Sequence, residues 1–279
     1  MPKRLTSEQV EQYRRDGFTF PVPVYTADEV ARYRASLEAF ETAQGGPLDG
    51  AQRAKSYLLF DWVFEMITHP NVLDAVEDVI GPNILAFYCT AWLKPADDRA
   101  FVSWHQDSTY FGLEPAEQVA AWLALSASTP RSGCVRILPG SHTGGQIPVR
   151  YQVDDDNLLT SGQNADFAID EASAVDITLL PGELSLHHTH AVHGSNPNHS
   201  GHRRLGFCIS YIPTHVVQTG ECRSPAILVR GVDEFGHFAP ETPPTGNADA
   251  ASRAEHARSL ALFRANAREK GNRTVDRLD

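Results

Sequence analysis

Along the first eighty positions the apolar residues recur at helical spacing, and from Ile84 onward they alternate with small or polar ones in short runs. Thr6-Ser7-Glu8-Gln9 and Thr26-Ala27-Asp28-Glu29 are capping boxes, in which a threonine hydroxyl and an acid or amide three positions later satisfy free N–H groups at a helix start. They predict helices over 6–15 and 26–41, and Asn71 to Ile80, closed by Gly81-Pro82, predicts a third. Thr42 to Arg53, rich in Gly, Ala and polar residues, reads as a mobile loop. The strand-like runs are 84–93, 101–107, 119–126, 134–138, 175–180, 184–188 and 204–212, broken by Pro and Gly. Many short strands so punctuated, with helices before them, predict a mainly β fold with flanking helices: a double-stranded β-helix, or jelly roll, of cupin-like form.

After Pro240 a Pro-rich stretch leads to a polar helix over 250–270, expected on the outside. No internal repeat divides the chain. One domain over 1–279 is expected, with a helical part to about 83, a jelly-roll core over about 84–238 and an extension over 239–279. With 279 residues and 42% hydrophobic content it can bury a sizeable core. A formal charge of −11 argues against a nucleic-acid surface. No run of 18 apolar residues occurs, and Met1-Pro2-Lys3-Arg4 leads straight into a polar helix, so neither a membrane span nor a secretory signal is expected. Cys89, Cys134, Cys208 and Cys222 show no C-x-x-C pairing and read as reduced thiols of a cytoplasmic protein. Oligomeric state is not legible.

The chemistry gathers in His105-Gln106-Asp107, His193 at 88 positions further and Arg204 at 11 beyond that. His105-x-Asp107 is the only H-x-D or H-x-E among the 12 histidines. In an extended strand residues i and i+2 share a face, so His105 and Asp107 could hold one metal while Gln106 turns away. Two histidines and a carboxylate on one triangular face leave positions open, the arrangement that suits non-haem Fe(II), a 2-oxo acid and O2. Within 204–212, Arg204, Gly206, Cys208 and Ser210 alternate with Leu205, Phe207, Ile209 and Tyr211. Arg204 therefore shares its face with residues that leave room, fit for a two-pronged grip on a carboxylate, and Arg203 points the other way.

Taken jointly, Trp104-His105-Gln106-Asp107, Leu138-Pro139-Gly140-Ser141-His142, Pro181-Gly182-Glu183 with Ser185 to His188, Val192-His193-Gly194-Ser195 with Pro197-Asn198, and Arg203-Arg204 with Gly206 resemble the phytanoyl-CoA dioxygenase family of Fe(II)/2-oxoglutarate oxygenases. The likeness runs from about residue 5 to about 238 and includes the opening Leu5 to Val10 and Asp16-Gly17-Phe18. It implies His105, Asp107 and His193 as metal ligands, and Arg204 with Ser195 on the distal carboxylate of 2-oxoglutarate. Trp122 would border that cosubstrate. The implied reaction is hydroxylation of an unactivated C–H bond with release of succinate and CO2. Related halogenases carry a small residue where Asp107 stands, so hydroxylation rather than chlorination is expected.

Around the expected mouth, Lys55, Tyr57, Lys94, Tyr110, Arg131, His188 and Arg230 offer polar contacts; the tightest substrate set is Lys55, Tyr110, His188 and Arg230. Cations there would favour a small polar or acidic metabolite. Of His187 and His188, one would pack in the core and one face the cavity. A second reading takes His188, His190 and His193 as a metal-dependent hydrolase site, and a third a non-catalytic β-barrel that binds a metabolite.

Overall fold

The computed structural model describes residues 2–159 and 162–269. Its helices are α1 (Ser7–Asp16), α2 (Ala27–Gln44), α3 (Gly50–Arg53), α4 (Asp61–Ile67), α5 (Pro70–Ile80), α6 (Ser108–Phe111) and α7 (Ala250–Glu269). Both predicted capping boxes form: Thr6 Oγ1 accepts from the Gln9 N–H at 3.1 Å, and Glu29 Oε2 accepts from the Thr26 N–H at 2.7 Å. The stretch expected to be a mobile loop holds the last turn of α2 and all of α3. A third capping box starts α3, with Asp49 accepting from the Gln52 N–H at 2.8 Å and Gln52 Oε1 accepting in return at 3.0 Å. Composition hid it. The predicted last residue of the C-terminal helix, 270, lies outside the described residues, as do 271–279.

The strands are β1 (Phe18–Pro23), β2 (Ile84–Lys94), β3 (Val102–His105), β4 (Leu113–Glu114), β5 (Val119–Ala124), β6 (Val135–Ile137), β7 (Val149–Tyr151), β8 (Gln163–Ala165), β9 (Val175–Ile177), β10 (Glu183–His188), β11 (His193–Ser195), β12 (Arg204–Pro213), β13 (Val217–Gln218), β14 (Pro225–Arg230) and β15 (Ala239–Pro240). A seven-stranded sheet runs β1-β10-β5-β12-β2-β14-β15 and faces a four-stranded one, β3-β11-β6-β9. Their interleaved order is that of the expected jelly roll. β1, which carries Pro21 and Pro23, lies at the edge of the large sheet, where a residue without an N–H is tolerated.

The large sheet has two working faces. Outward, Leu123, Leu184, Leu186, Leu205, Phe207, Ile209 and Tyr211 pack against Tyr33, Leu37, Trp62, Val63 and Val72 of the N-terminal helices. Inward, Trp92, Trp122, Ala124 and Cys208 meet Val135, Ile137 and Ile177 of the small sheet. α7 closes the far side, with Phe263 and Ala267 against Leu85, Phe87 and Phe238. Among the described residues, no helix is long and apolar enough to cross a membrane.

Candidate functional site

A metal-sized group of donors lies between the two sheets. β3 and β11 are antiparallel neighbours with His193 directly opposite His105, so the imidazoles stand side by side, ring centroids 4.1 Å apart. The carboxylate arrives by another route than the strand alternation predicted. β3 ends at His105, and Asp107 has helical dihedrals (φ −62°, ψ −35°) at the start of α6. That turn brings Asp107 Oδ1 to 3.5 Å from His105 Nε2 and 3.8 Å from His193 Nε2. One donor atom from each of the three lies within 4.8 Å of the others. Gln106 is buried between them and acts as a latch: its amide donates to the carbonyls of Gly145 (2.9 Å) and His190 (2.7 Å) and accepts from the Ile147 N–H (2.9 Å).

The donor set has the electronic form a divalent cation needs. Nδ1 of His105 lies 2.9 Å from the Ser103 carbonyl, and Nδ1 of His193 lies 2.9 Å from the Ala191 carbonyl. A carbonyl only accepts, so each Nδ1 carries a proton, and Nε2 is the ring nitrogen turned toward Asp107. Burial, reinforced by the neighbouring His105 and His187, pushes the His193 imidazolium well below its ordinary value, which keeps the ring neutral. Burial would raise the Asp107 carboxyl, but His193, His105 and His187 outweigh it and hold it well below the usual carboxylate range. Two imidazole Nε2 atoms and one carboxylate on a single face fit an open metal site.

At the other end of the same cavity stands Arg204, 1% exposed. One Nη donates to the Gly133 carbonyl and Nε has no partner among the described residues. The Trp122 ring lies under the guanidinium, 5.2 Å from Cζ to the ring centroid. Residue 206 must be glycine for this: a Cβ there would come within 2.2 Å of the Trp122 ring. Ser195, two residues past His193 on β11, lines the cavity beside them. Arg203 points outward, as the alternation predicts, and pairs with Glu41 of α2 at 2.8 and 2.9 Å.

Not every expected residue reaches the cavity. Lys55 is fully buried elsewhere, its ammonium 2.6 Å from Glu241 and donating to the Tyr57 hydroxyl and the Pro225 carbonyl at 3.1 Å. It is a wall fastening, so its expected place at the mouth is corrected. Arg230 pairs with Asp74 (2.6 Å) and Glu77 (2.8 Å) of α5, also away from the site. His188 ends β10 with Nδ1 accepting from the His190 N–H at 3.0 Å and its ring 5.4 Å from His142. The cavity-facing histidine is His187, 1% exposed, with Nε2 3.6 Å from Asp107 Oδ2 and its ring 4.5 Å from that of His193. The signal for it was present: Leu184 and Leu186 face the helices, so Ser185 and His187 share the inner face. Tyr110, on α6, holds its ring edge-on to His105 at 6.3 Å. Arg131 donates to the His199 carbonyl, and His237 stacks on Phe235. Among the described residues, His188 and His190 join no metal-sized group, which leaves the hydrolase reading without a site.

The sequence pattern described as "Phytanoyl-CoA dioxygenase (PhyH)" matches residues 13–206. A probable alpha-ketoglutarate-dependent hypophosphite dioxygenase of Stutzerimonas stutzeri is 26% identical over 225 residues, covering 74% of this chain and 78% of that protein. The peroxisomal phytanoyl-CoA dioxygenase of Bos taurus is 32% identical over 230 residues, covering 73% and 68%. Among solved structures, the non-heme monooxygenase ThoJ in its apo form superimposes with a TM-score of 0.83 at 32% identity, covering 96% of this chain and 99% of that one.

Proposed function

The chain belongs to the phytanoyl-CoA dioxygenase family, and from that premise we propose that it is an Fe(II)- and 2-oxoglutarate-dependent dioxygenase that hydroxylates a C–H bond of a small molecule. His105, Asp107 and His193 would hold the iron; Arg204 and Ser195 would hold the distal carboxylate of 2-oxoglutarate, with Trp122 walling it. Iron bound there would supply the activation of O2 and the oxidative decarboxylation that leaves succinate and CO2. The observation that carries the reading is the pairing, in one cavity, of a two-histidine, one-carboxylate donor set with a buried arginine to which no carboxylate is paired among the described residues.

The residues divide the work. The Ser103 and Ala191 carbonyls fix the tautomers of the two histidines, and Gln106 fixes the turn that presents Asp107. Asp107 occupies the position a halide would need, which favours hydroxylation. Trp92, Val102, Val135 and Cys208 line the rest of the cavity and keep it poor in water. The expectation of an acidic substrate rested on Lys55, Lys94, Arg131 and Arg230 as cations at the mouth and loses its support: Lys55 and Arg230 are paired with carboxylates elsewhere, Arg131 donates to the His199 carbonyl, and Lys94 donates to Ser195. The favoured substrate is therefore a small molecule that presents an apolar portion to the metal end.

The test is succinate formation from 2-oxoglutarate with Fe(II), ascorbate and O2. Turnover should vanish with a chelator and return with Fe(II). His105→Ala, Asp107→Ala and His193→Ala should each fall to background while remaining folded, and His190→Ala should keep its metal. Full turnover in His193→Ala would overturn the ligand assignment.

A further inference from the structure

Behind Ser195 stands a second buried cation to which the reading above gives no role. Lys94 ends β2 directly opposite Arg204 of β12 and is, like it, closed off from solvent. Its Nζ donates to Ser195 Oγ at 2.8 Å and to the Asn196 carbonyl at 2.5 Å. Gly133 ties the two cations together: its carbonyl accepts from Arg204, and a Cβ on it would come within 3.1 Å of Lys94 Nζ. All these partners are neutral, and among the described residues no carboxylate pairs with either side chain. Two adjacent buried cations without an anion are costly unless a ligand completes them. The hydrogen bonding shows how the ligand would be met. A hydroxyl has one proton to give, and with Lys94 donating into Ser195 Oγ that proton is left to point into the cavity.

We propose that Lys94 is a positioning residue of the cosubstrate pocket, which turns the Ser195 hydroxyl toward the carboxylate and takes up one proton from solvent as that carboxylate seats beside Arg204. The inference rests on the 2-oxoglutarate reading. Burial and then the charge of Arg204 push the Lys94 ammonium down to about 6. An amine still has the two protons its bonds to Ser195 and Asn196 require, and an arriving anion restores the third. The groups acting on Lys94 are Arg204 on β12, Asp98 beyond the end of β2, and Cys134 ahead of β6. Burial brings Arg204 down to about 10 and Cys134 up to about 12, so neither changes charge between pH 6 and 8. The sign follows from linkage: anion binding raises the Lys94 value, so affinity is full below about pH 6 and declines as pH rises toward the value of the complex.

Titration calorimetry of the Mn(II)-loaded protein with 2-oxoglutarate at pH 7.5, in phosphate and in Tris, counts the protons exchanged on binding. The wild type should take up close to one. Lys94→Met and Lys94→Gln should take up almost none and bind about 10- to 100-fold more weakly. In a Ser195→Ala background, Lys94→Met should add little, because the hydroxyl it orients is gone. Thermal melts show whether each variant is folded, and the wild-type count stands without any variant. A wild type that binds without proton uptake overturns the inference and leaves the 2-oxoglutarate reading intact, as do folded Lys94 variants with wild-type affinity and proton count. A wild type that does not bind 2-oxoglutarate removes both.

Discussion

Arg203 and Arg204 are neighbours in sequence and serve opposite faces of one strand. Arg203 is partly exposed on the outer side, where the buried Glu41 of α2 holds it, whereas Arg204 is shut into the cavity over Trp122. Arg204→Ala should raise the KM for 2-oxoglutarate by roughly 30-fold to several-thousand-fold, the effect of about 2–5 kcal/mol when a carboxylate loses the cation that grips it directly in a dry pocket. Arg203→Ala should leave KM near normal. Steady-state succinate formation across a cosubstrate titration decides between them, and the reverse pattern would shift the assigned face of β12 by one. Asp107→Gly should abolish hydroxylation, because the glycine variant keeps two imidazoles and no anion; unchanged product would remove the ligand role. At this scale the clustering of His105, Asp107 and His193 and the inward face of Arg204 were legible, because a histidine two positions before a carboxylate and an arginine among small residues of a strand have few alternative uses, although the turn that delivers Asp107 was not. His187 was equally legible from the parity of Leu184 and Leu186. Lys55 was not, since its partner Glu241 lies 186 positions away and no local pattern announces the pair.

Elements whose signals are local appear where expected, and those fixed by tertiary contact do not. The boxes at Thr6 and Thr26 start α1 and α2 at the residues that carry them. α4 has no side-chain cap; it is helical because Trp62, Val63, Met66 and Ile67 fill the space over the large sheet. Asp107 belongs to the second kind: two residues past His105 on a strand or on a turn look alike in sequence, and the Gln106 latch to the 145–147 loop and His190 makes it a turn. The Lys55 pair is also an element-scale device, since Glu241 accepts from Lys55, Tyr57 and Ser259 of α7 and so fastens the C-terminal helix to the wall. Glu241→Ala should cost about 3–5 kcal/mol, because it leaves an ammonium buried without its anion. Lys55→Met combined with Glu241→Leu should recover most of that. Urea unfolding measures both, and a double variant no more stable than Glu241→Ala would show that the pair does more than cancel its own charges.

The molecule as a whole uses its large sheet as a partition, with stability stored on the helix side and chemistry held on the other. β12 shows both along its length. Phe207 packs its ring on Trp62 at 5.7 Å, and Tyr211 donates to the Ile67 carbonyl at 2.6 Å, whereas Gly206 and Cys208 face Trp122 and the cavity. The partition predicts that adjacent substitutions separate the two properties. Phe207→Ala should cost about 3–5 kcal/mol through the cavity it leaves in the core. Its KM for 2-oxoglutarate, measured well below the melting range, should stay near wild type, because nothing on the inner face has moved. Gly206→Ala should do the opposite. Its new methyl group would meet the Trp122 ring, and the ring must swing away from Arg204, so KM should rise about tenfold or more, the effect of losing roughly 1.4 kcal/mol of cosubstrate binding. The stability cost should be the smaller one, about 1–3 kcal/mol for local overpacking. Urea midpoints and cosubstrate titrations on the same two proteins give the four values needed. If Phe207→Ala raised KM as much as Gly206→Ala does, the sheet would be transmitting strain between its faces rather than insulating one from the other.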